Sequence, residues 1–179
     1  MLLQELKKLQ LQKEIISIRR ICGDEDQTGS VEWVNEDILV FCLYTDDGVF
    51  DGYSVFYTVQ IEELMWGNRE HQSIAQLVKL HGDKPPFLGS GTRFEELLMS
   101  LAKQYSSLAI FTDDESSFDI ATIEAVTEEW TKIKTFGPKK TLSSLFKLIK
   151  TDDIGRVDVG SPYQNNIVAL HSTRITGIK

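Results

Sequence analysis

The sequence predicts an α+β protein made of two tandem copies of one unit, a helix followed by a small, strongly bent five-stranded antiparallel sheet or barrel. The first observation behind this is a recurrence. At a shift of 92 positions Leu2, Leu6, Leu9, Ile16 and Ile18 fall on Phe94, Leu98, Leu101, Leu108 and Ile110, and Val31-Glu32, Val34 and Glu36-Asp37 fall on Ile123-Glu124, Val126 and Glu128-Glu129. At a shift of 90, Glu62-Glu63-Leu64 falls on Asp152-Asp153-Ile154, and Leu77 and Leu80-His81 on Ile167 and Leu170-His171. The second observation is that each copy opens on an apolar stripe at helical spacing and continues in short apolar runs broken by turn residues. The third is the segment Gly82 to Gly91, whose two prolines and several glycines interrupt helix and sheet alike. The first repeat then spans 1–81, a linker 82–92, the second repeat 93–171 and a polar tail 172–179.

Element by element, Leu2, Leu6 and Leu9 mark a helix over Met1 to Glu14, and the lysines that break this run argue against a signal peptide. Ile15 to Ile21 reads as a strand. Gly29 to Leu43 holds two strands around Asn35-Glu36-Asp37, a polar break suited to a hairpin, and the run Ile38 to Tyr44 is apolar enough to be buried on both faces. Asp46-Asp47-Gly48 and Asp51-Gly52 are turn dipeptides, and Tyr53 to Val59 alternates as a further strand. Glu62 to Trp66 reads as a short turn into a last strand, and Ser73 to His81 as a helix. In the second copy Thr92 with Glu95 forms a capping box, Phe94, Leu97, Leu98 and Leu101 a helical stripe. Leu108–Thr112, Ala121–Val126, Trp130–Phe136, Leu142–Ile149 and Asp152–Val159 repeat the strands and the turn. Pro162 opens a short helix to His171, and the tail adds an edge strand.

At 179 residues, with 41% hydrophobic and 26% charged residues, the composition is that of a globular protein, and no stretch approaches the roughly 18 apolar residues of a membrane span. Cys22 and Cys42 have no metal-type spacing and read as reduced thiols, which with the missing span suggests a cytoplasmic protein. A net charge of −8 disfavours binding nucleic acid over the whole surface. The charge is uneven: residues 1–90 carry 8 Lys/Arg against 15 Asp/Glu, and residues 91–179 carry 11 against 12.

Asn35-Glu36-Asp37, the loop Asp47-Gly48-Val49-Phe50-Asp51-Gly52-Tyr53 and the acidic turn Ile61-Glu62-Glu63-Leu64 resemble the turn motifs of a group of small, uncharacterised Firmicutes proteins with tandem Sm-like units. The resemblance covers most of each copy, but its motifs are turn residues. Gly29-Ser30-Val31 followed by Val34-Asn35 and Ile38-Leu39-Val40 is distantly similar to the first Sm motif, which implies a helix-led, Sm-like or SH3-like bent barrel. Leu39 stands where that motif keeps a base-contacting Asn, and the second motif's Arg-Gly pair is absent, so RNA binding does not follow from the likeness.

No pattern in the chain specifies an enzyme, a cofactor or a metal site. Asp46, Asp47 and Asp51 could offer oxygens to Ca²⁺, yet the EF-hand spacing is missing and a hairpin turn accounts for them. Glu62-Glu63 and Asp152-Asp153 read as acids favoured at a helical turn rather than as a catalytic pair. His81 and His171 each close a helix. Gly89-Ser90-Gly91-Thr92 lacks the P-loop Lys and reads as a flexible joint. Trp33, Trp66 and Trp130 form no stacking series with basic residues, and Trp33 and Trp66 read as core. The sequence-level expectation is a non-enzymatic interaction module. An exposed rim of Phe50, Tyr53, Phe56 and Tyr57 beside acidic groups would face a protein partner rich in Lys or Arg, with Asp47, Phe50, Asp51 and Tyr53 as contact residues. Two alternatives stand beside it: a small-molecule or nucleotide sensor with a pocket between the copies, and RNA binding along a basic strip of Lys132, Lys134, Lys139, Lys140 and Lys147.

Overall fold

A computed structural model describes residues 1–179 except Asp24, 113–116, 138–142 and 177–179, with backbone alone at 174–176. The protein is α+β with antiparallel strands and divides into two compact units, Met1–Phe87 and Leu88–Lys179.

The first unit opens with α1 (Leu2–Gln12), whose Leu6 and Leu9 are buried and whose end is set by Lys13 in the left-handed region at φ 52. Five strands follow: β1 (Ile16–Arg20), β2 (Gln27–Val34), β3 (Ile38–Tyr44), β4 (Phe50–Tyr57) and β5 (Ile61–Trp66), then α2 (Arg69–His81). A 3-10 turn at Thr58–Gln60 separates β4 from β5. The strands lie in the order β5-β1-β2-β3-β4. The β2–β3 hairpin closes because the Asn35 side-chain oxygen accepts from the backbone N–H groups of Asp37 and Ile38 at 2.9 and 2.7 Å, an Asx turn. One sheet face packs Ile16, Ile18, Val31, Leu39, Phe41 and Phe56 against Leu6 and Leu9 of α1. At about 25 cal/mol per Å² of apolar surface removed from water, each such large side chain contributes roughly 1.5–3 kcal/mol. A bulge between Val31 and Trp33 frees the Glu32 carbonyl, which accepts from Gln10 of α1 at 2.7 Å.

The second unit repeats this element order: α3 (Phe94–Gln104), β6 (Leu108–Thr112), β7 (Phe118–Val126), β8 (Trp130–Thr135), β9 (Phe146–Lys150), a 3-10 turn at Thr151–Asp153, β10 (Ile154–Val159) and α4 (Pro162–Thr176). Its strands lie in the corresponding order, β10-β6-β7-β8-β9. Leu108 faces Ala121 as Ile16 faces Gly29, and a bulge between Ile123 and Ala125 matches the one in β2. Trp130 faces Lys150 as Ile38 faces Tyr57, so the offset grows from 92 to 93 within the β8–β9 connection.

Several expectations are corrected. The offset of the later elements is 93, not 90, since Thr58 and Asn68 take the places of Thr151 and Ser161. Glu62 and Glu63 therefore sit inside β5, whereas Asp152 and Asp153 sit in the 3-10 turn. His71, not His81, holds the third position of its helix, where Gln164 stands in α4: the His71 N–H donates to the Asn68 side chain at 2.8 Å and the Gln164 N–H to Ser161 Oγ at 3.2 Å. The box at the start of α3 uses Glu96 rather than Glu95. Its carboxylate accepts from the backbone N–H groups of Thr92 and Arg93 at 3.1 and 3.3 Å, which holds it below the usual carboxylate range. No edge strand forms at 172–176, where α4 continues to Thr176. Leu142, expected to begin a strand, lies outside the described residues.

Candidate binding surface

The face of each sheet opposite the first helix differs between the units. In the first unit the positions on that face of β3 and β4 are Ile38, Val40, Cys42, Tyr53, Val55 and Tyr57, of which only Tyr57 is not fully buried. Tyr53 is 1% exposed. Its hydroxyl donates to the Pro85 carbonyl and accepts from the Lys84 ammonium at 2.6 Å; that ammonium also reaches Glu32 at 2.6 Å and lies 4.7 Å from the Tyr53 ring centroid. Phe87 meets the same ring edge-on at 5.2 Å. The proline-containing segment thus clamps this face rather than hanging free. Beneath it the Cys42 thiol is pushed up to about 11 by burial, and the Tyr44 hydroxyl is raised by the same cause.

This corrects the expected aromatic rim. Tyr53 and Phe56 are interior, Phe50 and Tyr57 are half-buried, and only Asp47 and Asp51 of the contact residues are exposed. Asp46 and Asp47 occupy the β3–β4 turn, closed by the Gly48 N–H on the Thr45 carbonyl at 2.8 Å. Among the described residues no three His, Cys, Asp or Glu side chains gather as a metal site, and no helix is long and apolar enough to cross a membrane.

In the second unit the same register positions are Trp130, Lys132 and Lys134 on β8 and Phe146, Leu148 and Lys150 on β9. All six are exposed; Trp130, Phe146 and Leu148 reach 41%, 60% and 66%. The opposite face of β8 carries Thr131, Ile133 and Thr135, all buried. The Lys132 and Lys134 ammonium groups lie 5.0 and 5.7 Å from the Phe146 ring centroid, within cation–π range. Trp130 shares this face with three lysines, and the ring contacts of Lys132 and Lys134 are to Phe146. Lys147, grouped by sequence with Lys132 and Lys134, points to the other side and is held by Asp119 at 2.7 Å. Lys139 and Lys140 lie outside the described residues. Trp66, expected in the core, is 44% exposed.

Two further features were not anticipated. Ser17 Oγ sits 2.9 Å from His71 Nε2 and 2.8 Å from Thr28 Oγ1, with His71 buried and its Nδ1 without a hydrogen-bond partner among the described residues. A Ser–His contact alone does not make a nucleophile, and among the described residues no third group orients the imidazole through Nδ1. The second unit has Ala109 and Ile120 at these strand positions, and there the Gln164 side chain donates instead to the Asp158 carbonyl at 2.7 Å. A cleft of about 350 Å³ within the second unit is lined by Phe118, Asp119, Thr135, Tyr163 and Ile167. Its carboxylate is taken up by Lys147.

No family model matches this chain, and no curated protein or solved structure matches it significantly.

Proposed function

We propose that the chain is a non-enzymatic interaction module made of two copies of one Sm-like unit, with its partner taken on the open β8–β9 face of the second copy. Duplication is supported by the shared element order, the matched bulges and the matched helix starts at Asn68 and Ser161. The Sm-like reading is supported by a leading helix with the strand order β5-β1-β2-β3-β4 and its counterpart. The observation that carries the functional reading is the set Trp130, Lys132, Lys134, Phe146, Leu148 and Lys150 on one exposed face. Contiguous exposed apolar and aromatic groups among cations mark recognition surfaces, where large rings desolvate and charge steers approach. The partner reading therefore moves from the acidic Asp47–Asp51 turn to a basic, aromatic face, and the matching partner is acidic rather than rich in Lys or Arg.

The test is a comparison of affinity captures from the native host by the wild type and by a Lys132→Glu, Lys134→Glu variant with unchanged circular dichroism. The module reading requires a stoichiometric protein retained by the first and lost by the second. Identical captures by both would overturn it.

A further inference from the structure

We infer that the open edge of β9 takes up an extended, acidic segment of a partner protein, added as a further strand to the second unit's sheet; this rests on the module reading and names its partner's chemistry. Three observations carry it. Among the described residues β9 has one strand neighbour, β8. An edge strand presents unpaired N–H and C=O groups, and proteins usually blunt it with charges on the edge itself. Here the exposed side chains of the edge strand include Phe146 and Leu148, while Lys132 and Lys134 stand one strand further in. The edge strand's own charges are Lys150 at its end and Lys147, which Asp119 takes up on the other face, so the middle of the exposed edge, Phe146 and Leu148, is left apolar.

The second observation fixes which backbone groups are free. The Thr135 N–H donates to the Leu145 carbonyl at 3.0 Å, so Thr135 and Leu145 form a hydrogen-bonded pair. Alternation along an antiparallel ladder then turns the amides of Lys147 and Ile149 toward β8 and those of Phe146, Leu148 and Lys150 outward. These outward amides belong to the residues whose side chains lie on the lysine face. An added strand would place alternate side chains on that face, where acids meet Lys150, Lys132 and Lys134. Its other side chains would lie beside half-buried Ile149, where apolar residues fit.

The third observation is internal precedent. In the first unit the corresponding face is covered by the chain's own segment, with Lys84 over the Tyr53 ring and Phe87 against its edge. There the ring belongs to the face and the lysine to the covering segment, so this face already holds one stretch of polypeptide through a ring–lysine contact, with the two roles reversed relative to the second unit. A peptide strand is favoured over a single-stranded nucleic acid because the outward N–H and C=O groups of β9 complement a peptide backbone, which a nucleic-acid chain does not supply.

The test uses a synthetic peptide of alternating Glu and Val, amide hydrogen exchange on the intact chain, and a Leu148→Pro variant. Proline at 148 removes an outward N–H that β8 does not use, so the β8–β9 ladder survives. The expected result is slowed exchange at Phe146, Leu148 and Lys150 on adding peptide. Lys147 and Ile149 should be protected beforehand, and Leu148→Pro and Lys132→Glu, Lys134→Glu should each weaken binding by about tenfold or more. Three outcomes overturn the inference: peptide bound without new protection at those amides, an oligonucleotide that binds the face in place of the peptide, or protection that grows with protein concentration alone, which would make a second copy the occupant. If the peptide fails while the charge-reversed variant still loses a host partner, the strand-addition idea falls and the module reading stands. If neither variant changes any capture, the module reading falls.

Discussion

The β3–β4 hairpin of the first unit and the β8–β9 hairpin of the second occupy the same place in one element order and treat one face in opposite ways. Tyr53 and Phe146 are at corresponding positions; one ring is buried under the chain's own Lys84–Phe87 segment and the other is 60% exposed. Val40 and Cys42 correspond to Lys132 and Lys134. The first helix and the strands share a core on the other face, and this face too is packed at its β6–β7 end, where Ile167 of α4 meets Ala109, Phe111 and Ile120. Over the β3–β4 and β8–β9 hairpins alone the two units diverge, one closed by the chain's own segment and the other left exposed.

The largest expected effect is at Tyr53. Replacing it by Ala removes a buried ring and leaves Lys84 without its hydroxyl partner, so thermal and urea unfolding should show a loss of about 3–5 kcal/mol. Ser17→Ala comes next. It leaves the buried His71 without its Nε2 partner and should cost about 1–2 kcal/mol. Adding His71→Gln, which copies the pair Ala109 and Gln164, should recover part of that loss and appear as coupling in a double-mutant cycle.

Cys42 gives the pH test. Its folded pKa lies above its ordinary value, so between about pH 9 and about 11 the unfolded chain releases a proton that the folded chain keeps. Stability contributed below that window is lost as pH rises through it, which urea midpoints read at successive pH values will show. At neutral pH a thiol reagent should modify the exposed Cys22 and spare Cys42 until unfolding. The smallest effect is Phe146→Ala. Unfolding should change by no more than about 0.5 kcal/mol, in contrast with its counterpart Tyr53.

Much of the framework was legible because local chemistry decides it. Asn35 closes its hairpin with its own side chain, the apolar run Ile38–Cys42 is buried as written, and the helical stripes of α1 and α3 face inward. The later offset was misread because Glu62-Glu63 and Asp152-Asp153 look alike in sequence but occupy a strand and a turn. The binding face was hidden by alternation. In Phe146-Lys147-Leu148-Ile149-Lys150 a period-2 pattern places Phe146 and Leu148 inside and Lys147 outside. The fold does the opposite, because Asp119 on the buried side of the hairpin receives Lys147. Tyr53 was assigned to a rim because the segment that covers it, at 84–87, lies some thirty residues away in the chain. Nothing local marked the Ser17–His71 contact, which spans 54 positions.

The contrast between the two faces is tested most directly by covalent lysine footprinting of the native chain, read by mass spectrometry. Lys132, Lys134 and Lys150 should react rapidly and Lys84, held by Glu32 and Tyr53, slowly. Equal rates at Lys84 and Lys134, or protection of Lys132 and Lys134 in the isolated chain, would contradict one closed and one open face.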